Sequence, residues 1–368
     1  LILIKEHKTA GGHDDKRSAR HRGARVSIFS MSHSSTRIDL VCPAGSLPAL
    51  QAAVDGGADC VYIGLRDNTN ARNFGGLNFD VESARQGVRY AHDRHCKVLL
   101  AINTYAQPGA WERWTGAVVT AAKLGVDAVI VADAGLMRYI ARSHPRLELH
   151  LSVQGSATNY EAINFYRRHF NIRRAVLPRV LSVAQVADVI RNTPVEIEVF
   201  GFGSLCVMVE GRCALSSYAT GESPNMAGAC SPAAAVRWEQ KPDGLESRLN
   251  GILINKYRGS ERAAYPTVCK GRFEVDGAAY YAIEEPASLN ALELLPQLAR
   301  IGVKAVKIEG RQRSPAYVAA VTRVWRRALE ACAQYGAGFS VNPAWQAELC
   351  ALSEGQQHTL GAYYRPWK

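Results

Sequence analysis

The sequence predicts an α/β protein built as a (β/α)8 TIM-like barrel, and three observations carry that prediction. Short β-rich runs alternate with amphipathic stretches from Ile38 onward. Eight such runs, each followed by a helical stretch, occupy roughly 300 residues, the count and length of a parallel barrel. The beat breaks only once, after the seventh run, where an insertion intervenes. A doubly wound open sheet is the alternative architecture for the same alternation.

The first strand is Ile38 to Cys42. The helix after it enters through Ser46 with Pro48 in its first turn and closes at Gly56 and Gly57, the usual capping chemistry. CVYIG is the second strand, and Asp80 caps the helix VESARQGVRYAHDRHC. VLLAINT, AVIVAD, LELHLSV, RRAVLPR and VEIEVFGF follow as strands three to seven. The eighth, AVKIEG, lies between the helices SLNALELLPQLARIG and AYVAAVTRVWRRALEACAQ. The insertion, about residues 203–285, holds a strand at AVRWEQ, a polar stretch RLNGILINKYRGSERAAYP and a hairpin RFEVDGAAYYAI turning at Asp276-Gly277. The barrel thus spans 37–336, and 337–368 reads as a C-terminal tail with a short helix near Ala344 to Leu352.

The chain has 368 residues and a net charge of +11, a balance that points to an anionic partner or substrate. The charge is uneven. Residues 1–30 hold seven Lys/Arg against three Asp/Glu, so +4 of the +11 sits in a segment without an apolar face. Residues 1–36 read as a disordered tail or an upstream extension, with Met31 as a natural first residue, and no apolar leader core follows the basic run. A transit peptide, Arg- and Ser-rich and acid-poor, is the other reading of that segment. Because most of the clustered charge lies there and no aromatic-basic stretch of the stacking type stands out, nucleic acid is not the expected partner. Nine Cys in such a chain argue for free or metal-bound thiols in a reducing, cytoplasmic setting rather than a disulfide framework. No apolar run is long enough for a transmembrane helix.

Cys206, Cys213 and Cys230 lie in a Gly- and Ser-rich segment behind the seventh strand, and Cys269 follows in PTVCKGR. A buried structural cysteine packs as a small hydrophobe and needs no glycines around it, so these four read as ligands. They form no CxxC knuckle, which counts against structural zinc. An iron-sulfur cluster accepts widely spaced loop thiolates, although its ligands too often come in C-x2-C runs. From spacing alone, iron-sulfur, zinc and unpaired structural cysteines all stay open. Cys42, Cys60, Cys96 and Cys332 read as core, and Cys350 as a thiol of the tail helix.

Period-two alternation places Lys307 and Glu309 on one face of the eighth strand and His150, Ser152 and Gln154 on one face of the fifth. A Lys307–Glu309 ion pair is the plain structural reading of the first, and a satisfied rim histidine that of His150. Arg179 and Arg311, at the ends of strands six and eight, are the candidates for holding a substrate carboxylate, since a guanidinium forks onto two oxygens. Asn103, Gln154 and Glu309 are candidate polar positioning groups at the same end. No G-x-S-x-G elbow, H-E-x-x-H or Walker loop is present, which disfavours the common hydrolases.

The stretch EVFGFGSLCVMVEGRCALS resembles the signature of the collagenase-like peptidase family of unassigned catalytic type. Glu198, Phe200, Gly203, Ser204, Leu205, Cys206, Gly211, Cys213, Leu215 and Ser216 fall on its pattern. LVCPAG, VYIGLRDNTNARNFGGLNF, SVQGSATN, GACSP, YPTVCKGR and KIEGRQRSPAYV extend the likeness over nearly everything after residue 37. The resemblance is to that family's oxygen-independent ubiquinone-biosynthesis branch. It implies a barrel, and a 4Fe-4S cluster on Cys206, Cys213, Cys230 and Cys269. It further implies a heterodimer with a UbiV-like related subunit, a UbiT-like lipid-carrier protein as partner, and hydroxylation of a ubiquinone precursor with prephenate as oxygen donor. Peptidase activity is not implied. RNA-base hydroxylation of the same family type, or a non-catalytic cluster-bearing scaffold for a catalytic partner, are the alternatives.

Overall fold

All eight predicted barrel strands form, and they close on themselves. The structure is a computed structural model that describes residues 37–210, 213–224 and 230–365. The segment 1–36 therefore lies outside the described residues. In chain order the first half runs β1 (Asp39–Pro43), α1 (Leu47–Asp55), β2 (Cys60–Gly64), α2 (Val81–His92), β3 (Lys97–Ile102), α3 (Trp111–Leu124), β4 (Ala128–Val131) and α4 (Ala134–Ser143). It continues through β5 (Glu148–Leu151), α5 (Tyr160–Phe170), β6 (Arg174–Val176), α6 (Val183–Arg191) and β7 (Glu196–Ser204). The helix starts are chemically marked: the side chains of Ser46, Asp80, Asp133, Asn159 and Ser182 each accept a backbone N–H of the first turn.

Beyond β7 come α7 (Ala214–Thr220), β8 (Val236–Lys241), β9 (Gly244–Leu249), β10 (Ile252–Tyr257), β11 (Arg272–Val275), β12 (Ala278–Tyr281) and β13 (Ser288–Asn290). Then α8 (Leu295–Ile301), β14 (Ala305–Ile308), α9 (Pro315–Tyr335), α10 (Pro343–Leu352) and β15 (His358–Thr359) complete the chain. Strand β14 pairs in parallel with β1 on one side and with β7 on the other, which closes an eight-stranded parallel barrel through β1 to β7. The open doubly wound sheet is thereby ruled out. Among the described residues no helix is long and apolar enough to cross a membrane.

The insertion carries its own sheet. β8, β9 and β10 pair antiparallel, and β11 and β12 form the hairpin at Asp276-Gly277, both in the left-handed region at φ 52 and 78. A second such turn at Asn250-Gly251, φ 47 and 86, joins β9 to β10 inside the stretch read as polar reach. Leu249, Ile254 and Ala219 pack together as a separate small core. The stretch read as one long helix before the eighth strand is divided: Ser288–Asn290 runs antiparallel to the end of β7, and the helix itself starts at Leu295. The segment 337–365 folds onto the barrel, with β15 alongside β13 and the Tyr363 hydroxyl donating to the Phe200 carbonyl at 2.7 Å.

The barrel lumen holds an apolar layer of Val41, Cys60, Tyr62, Leu99, Ala128, Ile130 and Ala305. Charges cross it as well. Lys307 Nζ donates to Glu198 Oε1 at 2.7 Å and lies 4.0 Å from the centre of the Tyr62 ring, while Arg174 reaches Glu198 at 3.5 Å, Asp39 at 2.8 Å and Glu196 at 2.9 Å. The expected Lys307–Glu309 pair is not the one that forms, because Glu309 lies past the end of β14, at the mouth. His150 is buried, with Nε2 2.9 Å from Glu148 Oε1.

Burial opposes ionisation of Glu198, yet Lys307 and Arg174 outweigh it and hold its carboxyl below the usual carboxylate range. A depressed carboxyl adds stability that is fully present above its unfolded pKa of about 4.3 and lost as pH falls through the lower folded value. Acid melts should therefore show a loss of stability that Glu198→Gln flattens. Lys307→Met leaves Glu198 buried with one partner fewer and should cost about 3–5 kcal/mol in a denaturant melt at neutral pH.

Candidate active site at the barrel mouth

The carboxyl ends of the strands bring Arg179, Glu309 and Arg311 together at one basic mouth, with Gln154 just past the end of β5 and Asn103 supporting the wall. Arg311, just past β14, is 5% exposed and donates from Nη1 to Asn70 Oδ1 at 3.0 Å. Its guanidinium stands 5.8 Å from the Tyr62 ring. Among the described residues no carboxylate forms a salt bridge with it. Burial pushes its pKa down to about 10, Tyr62 and Glu309 work against that, and nearby Arg72 adds to the depression. The room comes from Gly64, which ends β2: a Cβ there would lie 2.5 Å from Arg311 Nη1.

Glu309 lies beside the end of β7, where its Oε2 accepts from the Ser204 N–H at 3.4 Å. Burial works against its ionisation, but Arg72, Arg179 and Arg313 outweigh that and hold the carboxyl low. Gly203 makes this approach feasible. Its φ is 123, and a Cβ would stand 2.6 Å from the Glu309 Cβ. Gln154 sits on a 3-10 turn after β5 with Oε1 buried and lacking a hydrogen-bond partner among the described residues.

Two predicted residues are committed within the protein. Asn103 Oδ1 accepts from Ala71 N at 2.9 Å and its Nδ2 donates to Ser152 Oγ at 3.2 Å, so it braces the loop after β2. Arg179 donates from Nε to Glu210 Oε1 at 2.7 Å and from Nη1 to the Ser204 carbonyl, with its guanidinium 4.3 Å over Phe200. Its fork is engaged, and the carboxylate-holding role expected of it falls better to Arg311. Arg72, Arg313, Glu210 and Lys270 were missed by strand alternation because they sit on loops, where period two carries no information. All four do lie inside the motif stretches, the one sequence signal that marks them.

The four ligand candidates surround the loop that leaves β7. Cys213 caps α7, its sulfur accepting from Ser216 N at 3.4 Å, and Ser216 Oγ donates to the Cys230 carbonyl at 2.5 Å. Cys269 lies in a 3-10 turn, Val268–Lys270, that packs against α7. All four thiols are free and half-buried. Each is within electrostatic reach of at least one other: Cys206 and Cys213 of Cys230, and Cys269 of both Cys230 and Cys213. Among the described residues no three His, Cys, Asp or Glu side chains converge on a single-ion position. As soft sulfur donors the four thiols suit an iron-sulfur group in ligand type. Burial pushes Cys206 up to about 12 and Cys269 up to about 11, and raises Cys230, so a metal would displace protons on binding. Arg179 opposes the rise at Cys206, Arg72 at Cys230 and Lys270 at Cys269. Cys42, Cys60, Cys96 and Cys332 are buried in the scaffold.

A buried guanidinium without a salt-bridge partner is a cost to folding that a ligand anion would offset. Because the folded pKa of Arg311 is lowered, its charge disfavours folding below about pH 10. Arg311→Met should therefore melt at or above the wild-type temperature while losing affinity for a dicarboxylate, as read by calorimetry.

The family model for peptidase family U32 matches residues 45–366. The tRNA hydroxylation protein P1 of Bacillus subtilis is 29% identical over 84% of this chain and 67% of its own length. The tRNA hydroxylation protein P of Escherichia coli is 30% identical over 79% of this chain and 68% of its own. An uncharacterized protease of Methanocaldococcus jannaschii is 32% identical over 80% and 65%. The chain thus spans about two thirds of the length of these relatives. A solved U32 peptidase superposes on 76% of the chain with a TM-score of 0.47 and 12% identity. With the family model covering nearly all of the barrel and its insertion, the chain belongs to peptidase family U32.

Proposed function

We propose that this chain is the UbiU-like subunit of an oxygen-independent hydroxylase that acts on the aromatic ring of a ubiquinone precursor, with a 4Fe-4S cluster on Cys206, Cys213, Cys230 and Cys269. The observation that carries it is the adjacency of four half-buried thiols, each within electrostatic reach of another, and a basic mouth holding buried Arg311, which forms no salt bridge among the described residues. Relatives named as tRNA hydroxylation proteins, together with the 23S rRNA 5-hydroxycytidine synthase of Escherichia coli at 28% identity, support hydroxylation chemistry. The ring as substrate rests on the likeness of the motif stretches to the ubiquinone-biosynthesis branch.

In this reading the open edge of Arg311 receives one carboxylate of prephenate, the oxygen donor, through two parallel N–H bonds. Gln154 Oε1 accepts a donor hydroxyl, and the ionised Glu309 stands ready to take a proton at its Oε1. The cluster would supply one-electron exchange next to this mouth. The remaining protein groups keep the wall fixed: Asn103 holds the loop that carries Asn70 and Arg72. A UbiV-like subunit completes the enzyme as a heterodimer, and a UbiT-like carrier presents the polyprenylated ring.

RNA-base hydroxylation is the second reading, favoured by what the relatives are named for. An anaerobic assay of the chain with its related subunit, prephenate, and either a ring precursor or tRNA separates the two. Ring hydroxylation without RNA product is expected, and the reverse outcome transfers the proposal to RNA. Arg311→Ala should raise the donor KM roughly ten- to hundredfold, the worth of a lost charge-assisted pair.

A further inference from the structure

Ser204, the last residue of β7, is bonded through all three of its polar groups to different parts of the molecule. Its carbonyl accepts from Arg179 Nη1, its hydroxyl lies 3.3 Å from Lys270 Nζ, and its N–H reaches Glu309 Oε2 at 3.4 Å. Arg179 extends the tie, since its Nε and backbone N–H both approach Glu210 Oε1, at 2.7 and 3.4 Å. Ser204 and Glu210 bracket the loop that bears Cys206, so one side chain from the end of β6 fastens both ends of that loop. Ser156 adds a bond to the Glu210 carbonyl at 3.1 Å. On the other side Lys270 directly follows Cys269, and its ammonium also pairs with Glu354, which Arg313 approaches at 3.6 Å.

Two thiol-bearing loops distant in sequence are therefore referred to one point of the barrel wall. Arg179 and Lys270 are each 8% exposed, and holding two cations out of water is costly unless their partners are fixed. A cofactor held by loops needs such fixing from outside its ligands, and fixed positive charge nearby suits a thiolate-rich anionic centre.

We infer that Arg179, Ser204 and Lys270 form a positioning junction that locks the Cys206 and Cys269 loops to the barrel rim and sets both the retention and the reduction potential of the group those cysteines hold. This rests on the cluster reading given above. Neither cation acts as a carboxylate clamp in it, and neither is a catalytic residue.

The test uses the full chain purified anaerobically with its cofactor, as wild type, Arg179→Lys and Lys270→Met. The readouts are the rate at which a chelator bleaches the visible absorption, the low-temperature EPR signal of the reduced protein, and its midpoint potential. Arg179→Lys keeps the charge and loses the fork, so bleaching should quicken by roughly tenfold with little change in potential. Lys270→Met removes a charge, so the potential should move to more negative values and the EPR line shape should change. A double variant, Arg179→Gln with Glu210→Gln, removes the buried pair together and carries the retention test if Arg179→Lys does not fold. Wild-type bleaching, EPR and potential in variants that merely melt lower would reduce the junction to a structural tie and overturn the inference, leaving the cluster reading intact. Absence of iron and sulfide from the wild type would overturn both.

Discussion

Where β7 leaves the barrel, backbone geometry and charge have to be solved together. The strand is buried along nearly its whole length and must end by releasing a loop of thiols without opening the wall. Gly203, at φ 123, makes that exit by lying against Glu309 where no side chain would fit. Ser204 then satisfies its polar groups with residues from the loop after β6, from the rim after β14 and from the far side of the insertion. The small sheet β8–β10 and the hairpin β11–β12 have room to grow because both their entry and their return are tied at this point.

Charge is handled differently at the two ends of the lumen. Deep in the barrel, Lys307 and Arg174 share Glu198, Arg174 also meets Asp39 and Glu196, and Arg173 pairs with Glu196, so three cations face three carboxylates. At the mouth the balance is deliberately incomplete. Arg179 has Glu210 and Lys270 has Glu354, while Arg311 keeps a neutral amide as its nearest partner. A closed ion network is what a scaffold needs; a buried guanidinium held by Asn70 beside Tyr62, without a salt bridge, is what an anionic ligand needs.

Much of this was legible in the residues. The eight barrel strands announced themselves because each is a short β-branched run bounded by a capped helix, and local chemistry suffices for that. The Asp276-Gly277 turn is equally plain, whereas Asn250-Gly251 carries the same signal amid polar neighbours that mask the flanking strands. Strand β13 could not be read locally, since Ser288–Asn290 becomes a strand only by meeting the end of β7. The same holds for β15 and Tyr363, whose roles depend on contacts to β13 and Phe200. At the mouth, alternation found Glu309 and Gln154 but assigned Lys307 the wrong partner, because which carboxylate it meets depends on the stagger between β14 and β7. Nothing local distinguished Arg179 from Arg311. Only the fold shows that one is spent on Glu210 and Ser204 and the other is left open.

The cysteines concentrate what is most open to direct measurement. Four thiols from three loops each lie within electrostatic reach of at least one other, with Arg72, Arg179 and Lys270 nearby, a setting that suits an anionic sulfur-ligated centre. Iron and acid-labile sulfide analysis of the anaerobically purified chain, alongside its visible spectrum, tests this most directly. A brown protein with about four of each per chain is expected, as for a 4Fe-4S group held by four thiolates. A colourless protein loaded with zinc would contradict it.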